Sequence, residues 1–389
     1  MGSDVIEYDA FQLLYVTSDL NLQKSTSVTT IIVPQGANTS RILSHQLAYD
    51  APDVNCSPSY GIQPGANDAE ILTDNHPPVL NIPDYEGSNA AFTVGPQSAF
   101  QTLDSLRAAA VSGSITSISE DAEIILFGYS GGGYASEWAV ELHHDYAEDV
   151  NIIGAALGGL PTNILTTYRN MIGLFSPLNV WAMLGMMNAF PDMNKWMQED
   201  LDPGRLKQFL GPRQRCSEPE DPADPILPDD DINSWFEHGD YFLTKFASEI
   251  TDIGVMGRHI SAETAPNYPL YIFRGGLDRL TSPHSDTVAL KEKFCSVGTS
   301  VTFVLWPLQL HVPASEVGSP WAMKWVRKVF NREEIRNDCG LPDAVVADGL
   351  DAKERSGVYS LGCLFNTSKW KPEETGNKFK WHQISKVQF

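Results

Sequence analysis

Basic residues are scarce in this sequence: 27 Lys and Arg stand against 49 Asp and Glu in 389 residues, a formal charge of −22. Such a surface repels polyphosphates, so nucleic acid is not an expected partner. Cysteine is sparse too. The five cysteines, Cys56, Cys216, Cys295, Cys339 and Cys363, form no CxxC pair and no cysteine–histidine cluster at zinc-ligand spacing, which argues against a metal site. No GxxxxGK or strand-linked GxGxxG motif is present, so the chain offers no phosphate-cradling loop and no cofactor is expected. Internal repeats are also missing. No stretch approaches the roughly 20 apolar residues that a membrane-spanning helix requires. The opening Met1-Gly2-Ser3-Asp4 lacks the basic and apolar regions of a signal peptide and reads as a cloning remnant, so a natural leader is expected to have been removed.

What is present is enough apolar sequence for one large core, at 42% hydrophobic and 10% aromatic residues. Residues 10–16 (AFQLLYV) and 27–33 (SVTTIIV) are β-rich runs around a polar turn and suggest an opening antiparallel hairpin. Further along, 122–127 (AEIILF), 151–157, 269–274 and 301–306 read as buried strands, while 96–111, 132–146 and 320–330 have helical spacing. Strands alternating with helices predict an α/β fold with a mostly parallel sheet covered on both faces. Between about 161 and 250 the character shifts: Met171, Met183, Met186, Met187, Met193 and Met197 crowd in with Trp181 and Trp196, and an acidic, Pro-rich stretch follows. This region is expected to be a helical cap inserted into the sheet order. Its methionines and aromatics are expected to fill an irregular core, to line an acyl pocket, or to do both. The expected division is 1–160 and 251–340 for the core, 161–250 for the cap, and 341–389 for an extension of open role.

Gly128-Tyr129-Ser130-Gly131-Gly132 fits G-x-S-x-G between a predicted strand and a predicted helix. A sharp strand-to-helix turn forces the serine into a strained backbone and leaves room only for glycine two positions away. The following helix directs its first amides at developing negative charge, which makes the Gly131 N–H a candidate oxyanion donor. A serine hydroxyl needs a base, and the base needs an orienting acid, in the chain order serine, acid, histidine. Asp278, just past the strand ending at Phe273, stands above Asp240 and Asp252 because α/β sheets build sites at strand ends. Among nine histidines, His311 follows a strand and is the favoured base, with His284 as the rival; His143, His144, His238 and His259 fall on helices or in the cap.

Several separated segments, SVTTIIVP at 27–34, HQLAYDAPDVNCSPS at 45–59, GYSGG at 128–132 and GAALGGLPTN at 154–163, together resemble the fungal secretory lipase family. The resemblance implies an α/β-hydrolase core with a helical cap, and a triad of Ser130, Asp278 and His311. It implies a second oxyanion residue at Asp50, which could help as a side chain only if protonated. It also implies the disulfides Cys56–Cys216 and Cys295–Cys339, leaving Cys363 unpaired. Asn38 and Asn366 head glycosylation sequons, as does Asn55. These features predict a secreted monomer that hydrolyses small-molecule or lipid esters and meets a lipid interface transiently. The competing expectations are an esterase or acyltransferase for an acylated fungal metabolite, and a non-catalytic binding protein on a hydrolase scaffold.

Overall fold

The computed structural model describes residues 7–61, 76–216, 226–341 and 378–382, the last as backbone only. Nine strands form one sheet among the described residues, in the order β8-β7-β6-β5-β3-β4-β2-β1-β9. β1 (Glu7–Ser18) and β2 (Lys24–Pro34) are the antiparallel hairpin expected from their alternation, and β2 pairs antiparallel with β4 (Pro78–Pro83). From β3 (Asn38–Gln46) onward the ladder is parallel, through β5 (Glu123–Tyr129), β6 (Ile152–Gly158), β7 (Leu270–Gly275) and β8 (Val301–Trp306). The outermost strand, β9 (Lys378–His382), lies parallel to β1. Cys363 and Asn366 lie outside the described residues.

The apolar run of β5 alternates faces with the period of two that a strand imposes. Ile124 and Leu126 join a core with the helices Gly95–Val111 and Gly131–Ala147, contacting Leu103, Leu106, Trp138 and Leu142. Ile125, Phe127 and Tyr129 face the other way, toward Met323, Trp325 and Val326 of the helix His311–Phe330. Two covered faces explain why these strands read as continuous apolar runs rather than alternating ones. The last helix is longer than its sequence pattern suggests. It starts at His311 and continues through Pro320, and at Gly318 it passes so close to the Phe273 ring that a Cβ would come within 2.5 Å of it.

Between β6 and β7 the chain makes the helices Ile164–Met171, Ser176–Ala189, Pro191–Asp200 and Ala247–Gly254, with shorter turns between them. Met183, Met186, Met187, Met193 and Met197 are all buried in a second apolar cluster with Phe209, Trp235 and Phe242. The ends of this segment meet in an antiparallel bridge between Asn163 and Val255. Cys56–Cys216 ties the loop after β3 to it, and Cys295–Cys339 fastens the helix His284–Ser296 to the chain that covers β8. These close 160- and 44-residue separations, worth on the order of 4–5 kcal/mol each in the chain-entropy model. No described helix is long and apolar enough to cross a membrane.

Candidate active site

Parallel strands end at one edge of the sheet, and four of their loops converge there: Asp50 after β3, Ser130 after β5, Asp278 after β7 and His311 after β8. Ser130 has φ 55° and ψ −123°, a backbone conformation that costs a non-glycine residue about 1–3 kcal/mol. The surroundings hold it there. The Ser130 N–H donates to the Gly158 carbonyl at 2.9 Å, and its own carbonyl accepts from Tyr134 N–H at 2.8 Å. A Cβ at Gly128 would sit 2.1 Å from the Gly132 carbonyl oxygen, and one at Gly132 only 1.8 Å from that of Gln46, so both positions require glycine.

His311 Nε2 lies 2.8 Å from Ser130 Oγ, and His311 Nδ1 lies 2.7 Å from Asp278 Oδ2. The imidazole is buried, and the Asp278 carboxylate is sealed from solvent. Burial works against the Asp278 charge, but His311, Arg274 and the Thr281 hydroxyl outweigh it and hold the carboxyl below the ordinary carboxylate range. Tyr129, inside the serine motif, donates to the His311 carbonyl at 2.6 Å and lays its ring 5.0 Å from the imidazole.

Asp50 has φ 44°, and its Oδ1 is shielded from solvent with no hydrogen-bond partner among the described residues. That oxygen occupies the space beside the first turn of the helix after Ser130: a Cβ on Gly131 would fall 1.8 Å from it. Burial raises the Asp50 carboxyl to about 7, with His311 acting in the opposite direction. Glu86 is buried as well, and burial first, then the Asp50 charge, pushes it well above its usual range, with the Ala51 N–H acting in the opposite direction. Two such groups in one dry pocket do not both ionise near neutrality.

The other histidines weighed as candidates are occupied elsewhere. His284, the rival base, begins a helix and stacks on Phe303 at 5.9 Å. His143 Nε2 meets the Val150 carbonyl at 2.8 Å, His144 pairs with Asp145, His259 packs on Trp138, and His238 contacts Asp200. Asp200, Glu237 and His238 also bring ligand-type atoms together at the surface, well away in the chain from the serine motif. Asp252 pairs with Arg258. Sequence reasoning missed Arg274, a buried guanidinium that donates to the carbonyls of Gly275, Ser282 and Asp278 and to the Thr287 hydroxyl. A lone arginine in the apolar strand LYIFRG was the available signal.

The secretory lipase family model matches residues 78–338. Lipase A of Arthroderma benhamiae is 32% identical over 85% of this chain and 72% of its own length. A trichothecene C-3 esterase of Fusarium sporotrichioides is 31% identical over 84% of this chain and 76% of its own. The crystal structure of Candida antarctica lipase A in its closed state superposes with a TM-score of 0.76, at 23% identity, over 92% of this chain and 85% of that one.

Proposed function

Because the chain belongs to the secretory lipase family, and is thereby a carboxylic ester hydrolase of α/β-hydrolase fold, we propose that it works through an acyl-enzyme on Ser130. The observation that carries this reading is the unbroken series Ser130 Oγ, His311 Nε2, His311 Nδ1, Asp278 Oδ2, with both contacts at hydrogen-bond distance. Ser130 Oγ attacks the ester carbonyl carbon while its proton passes to His311 Nε2, and Asp278 stabilises the resulting imidazolium. The carbonyl oxygen becomes an oxyanion, held by the Gly131 N–H and by the protonated Asp50 carboxyl. Collapse expels the alcohol, which takes the proton from His311. Water then repeats the sequence on the acyl-enzyme, releasing the acid and restoring Ser130.

Leu277, Leu308, Leu310 and Val312, close in sequence to the acid and the base, are exposed, and this aliphatic surface favours esters of fatty acids. A second reading, deacylation of a compact metabolite or transfer of its acyl group to an alcohol, draws on the trichothecene esterase relative. The secretory family and two disulfides support an extracellular location. A panel of p-nitrophenyl acetate, octanoate and palmitate, with and without emulsified lipid, separates the two readings. Turnover rising with chain length upholds the lipase reading, and turnover of acetate alone overturns it. Alcohol-trapped product dominating over free acid would make transfer the main reaction.

A further inference from the structure

The first helix of the segment between β6 and β7 is two-sided. Ile164 and Tyr168 sink into the apolar cluster of that segment and Met171 is buried as well, while Asn163, Thr166, Thr167 and Asn170 recur at i, i+3, i+4 and i+7 and so share another face. That polar stripe rests on the loop carrying Asp278. Asn170 Nδ2 donates to the Thr281 carbonyl at 2.9 Å, and Asn163 N–H donates to Ser282 Oγ at 2.8 Å. The Thr167 hydroxyl lies 3.0 Å from Ser282 Oγ, and Thr166 Oγ1 donates to Asp286 Oδ2 at 3.0 Å.

The residues it holds are the ones that aim the carboxylate. Asp278 Oδ1 accepts from the amides of Leu280 at 3.0 Å and Thr281 at 3.3 Å. Oδ2 accepts from Thr281 Oγ1 at 2.9 Å and faces His311 Nδ1 at 2.7 Å. Thr281 therefore grips both oxygens and fixes the rotation of the carboxylate, leaving His311 a single direction of approach. Thr281 is itself buried, so a loosened carbonyl would lose a partner that solvent does not replace.

We propose that Thr281 positions the Asp278 carboxylate through its hydroxyl, and that the Asn163–Asn170 stripe positions Thr281, so that turnover depends on this helix staying docked on the acid loop. The proposal rests on the acyl-enzyme reading above. It makes the segment between β6 and β7 a support for the triad. The titratable and charged groups facing Asp278 are His311 and Arg274, with Tyr129 close enough to feel its charge. Thr281 is one of the groups that keep Asp278 ionised, after His311 and Arg274.

The test uses the full chain and p-nitrophenyl acetate, an ester too small to need an acyl pocket. Thr281→Val is expected to lower kcat about tenfold with KM within about twofold, while Thr281→Ser restores kcat. The double variant Thr167→Val, Asn170→Ala, which leaves the acid loop intact, is expected to lower kcat roughly threefold to tenfold at unchanged KM. Wild-type kcat in Thr281→Val would overturn the hydroxyl's role. A double variant with lowered Tm but unchanged kcat per folded molecule would overturn the stripe's. Should Thr281→Val lose its near-ultraviolet circular dichroism, the double variant and Thr281→Ser decide alone. Turnover surviving in Ser130→Ala would instead sink the acyl-enzyme reading, a failure visible separately from these.

Discussion

The loops at the ends of β3, β5, β7 and β8 and the helical segment between β6 and β7 are both buried, yet they are built in opposite ways. At the loops, backbone approaches so closely that Gly128 and Gly132 admit no Cβ, the Asp50 carboxyl fills the space beside Gly131, and polar atoms meet at 2.7–2.8 Å. In the segment, five methionines and several aromatic rings fill a core with few polar constraints. Thioethers on unbranched chains adapt to irregular gaps, whereas a strained turn with no spare volume does not. Geometry tied to bond making is kept where backbone sets it, and tolerance of shape is kept where side chains can repack.

The sharpest way to break this contrast is to remove a reacting group. Ser130→Ala or His311→Ala is expected to cut kcat by on the order of 10³-fold or more with the fold intact, since such residues act as a unit. A fluorophosphonate probe that still labels Ser130→Ala would remove Ser130 from the mechanism.

A single methyl group comes next. Gly131→Ala places a Cβ against Asp50 Oδ1, and kcat is expected to fall by about 10²-fold, the scale of losing one oxyanion donor. Near-wild-type kcat there would mean that the carboxyl moves aside without consequence.

A smaller effect tests Asp50 by pH. Its folded carboxyl is raised to about 7, so the proton it donates is present below that pH and lost as pH rises through it. Wild-type kcat is therefore expected to decline above about 7, and Asp50→Asn, whose amide keeps an N–H at every pH, to flatten that decline. The same shift bears on stability. A group that binds its proton more tightly when folded stabilises the fold below its unfolded value and loses that contribution as pH climbs to about 7. An identical alkaline limb in both proteins would assign the decline to another group.

The least change is expected on the other side of the comparison. Replacing Met183 and Met186 with leucine conserves volume, and each swap is expected to cost less than about 1.5 kcal/mol and to leave p-nitrophenyl acetate turnover within about twofold. A large drop in kcat would show that the segment is as exacting as the loops.

Much of this was legible in the chain. The strand-turn-helix context of Gly128 to Gly132 and the strand-end positions of Asp278 and His311 are local features, and the structure brings those three side chains together. Cys56–Cys216 and Cys295–Cys339, implied by the family resemblance, are the pairs present. Five of the methionines fill a core, one of the two compatible roles expected of them. β4 passed unnoticed because its six residues, PVLNIP, begin and end in proline and carry Asn81, whose amide is satisfied only by Ser44, Ser105 and Thr29 from three other elements. The full length of the last helix was hidden by Pro313 and Pro320, which read as breaks. Nothing in the sequence of Lys378 to His382 announced a strand paired with the far end of the chain.

The sequence by itself determined which residues can do chemistry and the alternation of strand and helix that carries them, because hydroxyl, imidazole and carboxyl identities and short-range periodicity are local properties. Only the tertiary structure decided that Asp50 is a carboxyl near 7 instead of an ordinary anion, that Glu86 shares its dry pocket, and that Asn170 reaches Thr281 across 111 positions. Those facts depend on what excludes water and what stands within a hydrogen bond, and both are set by elements far apart in the chain.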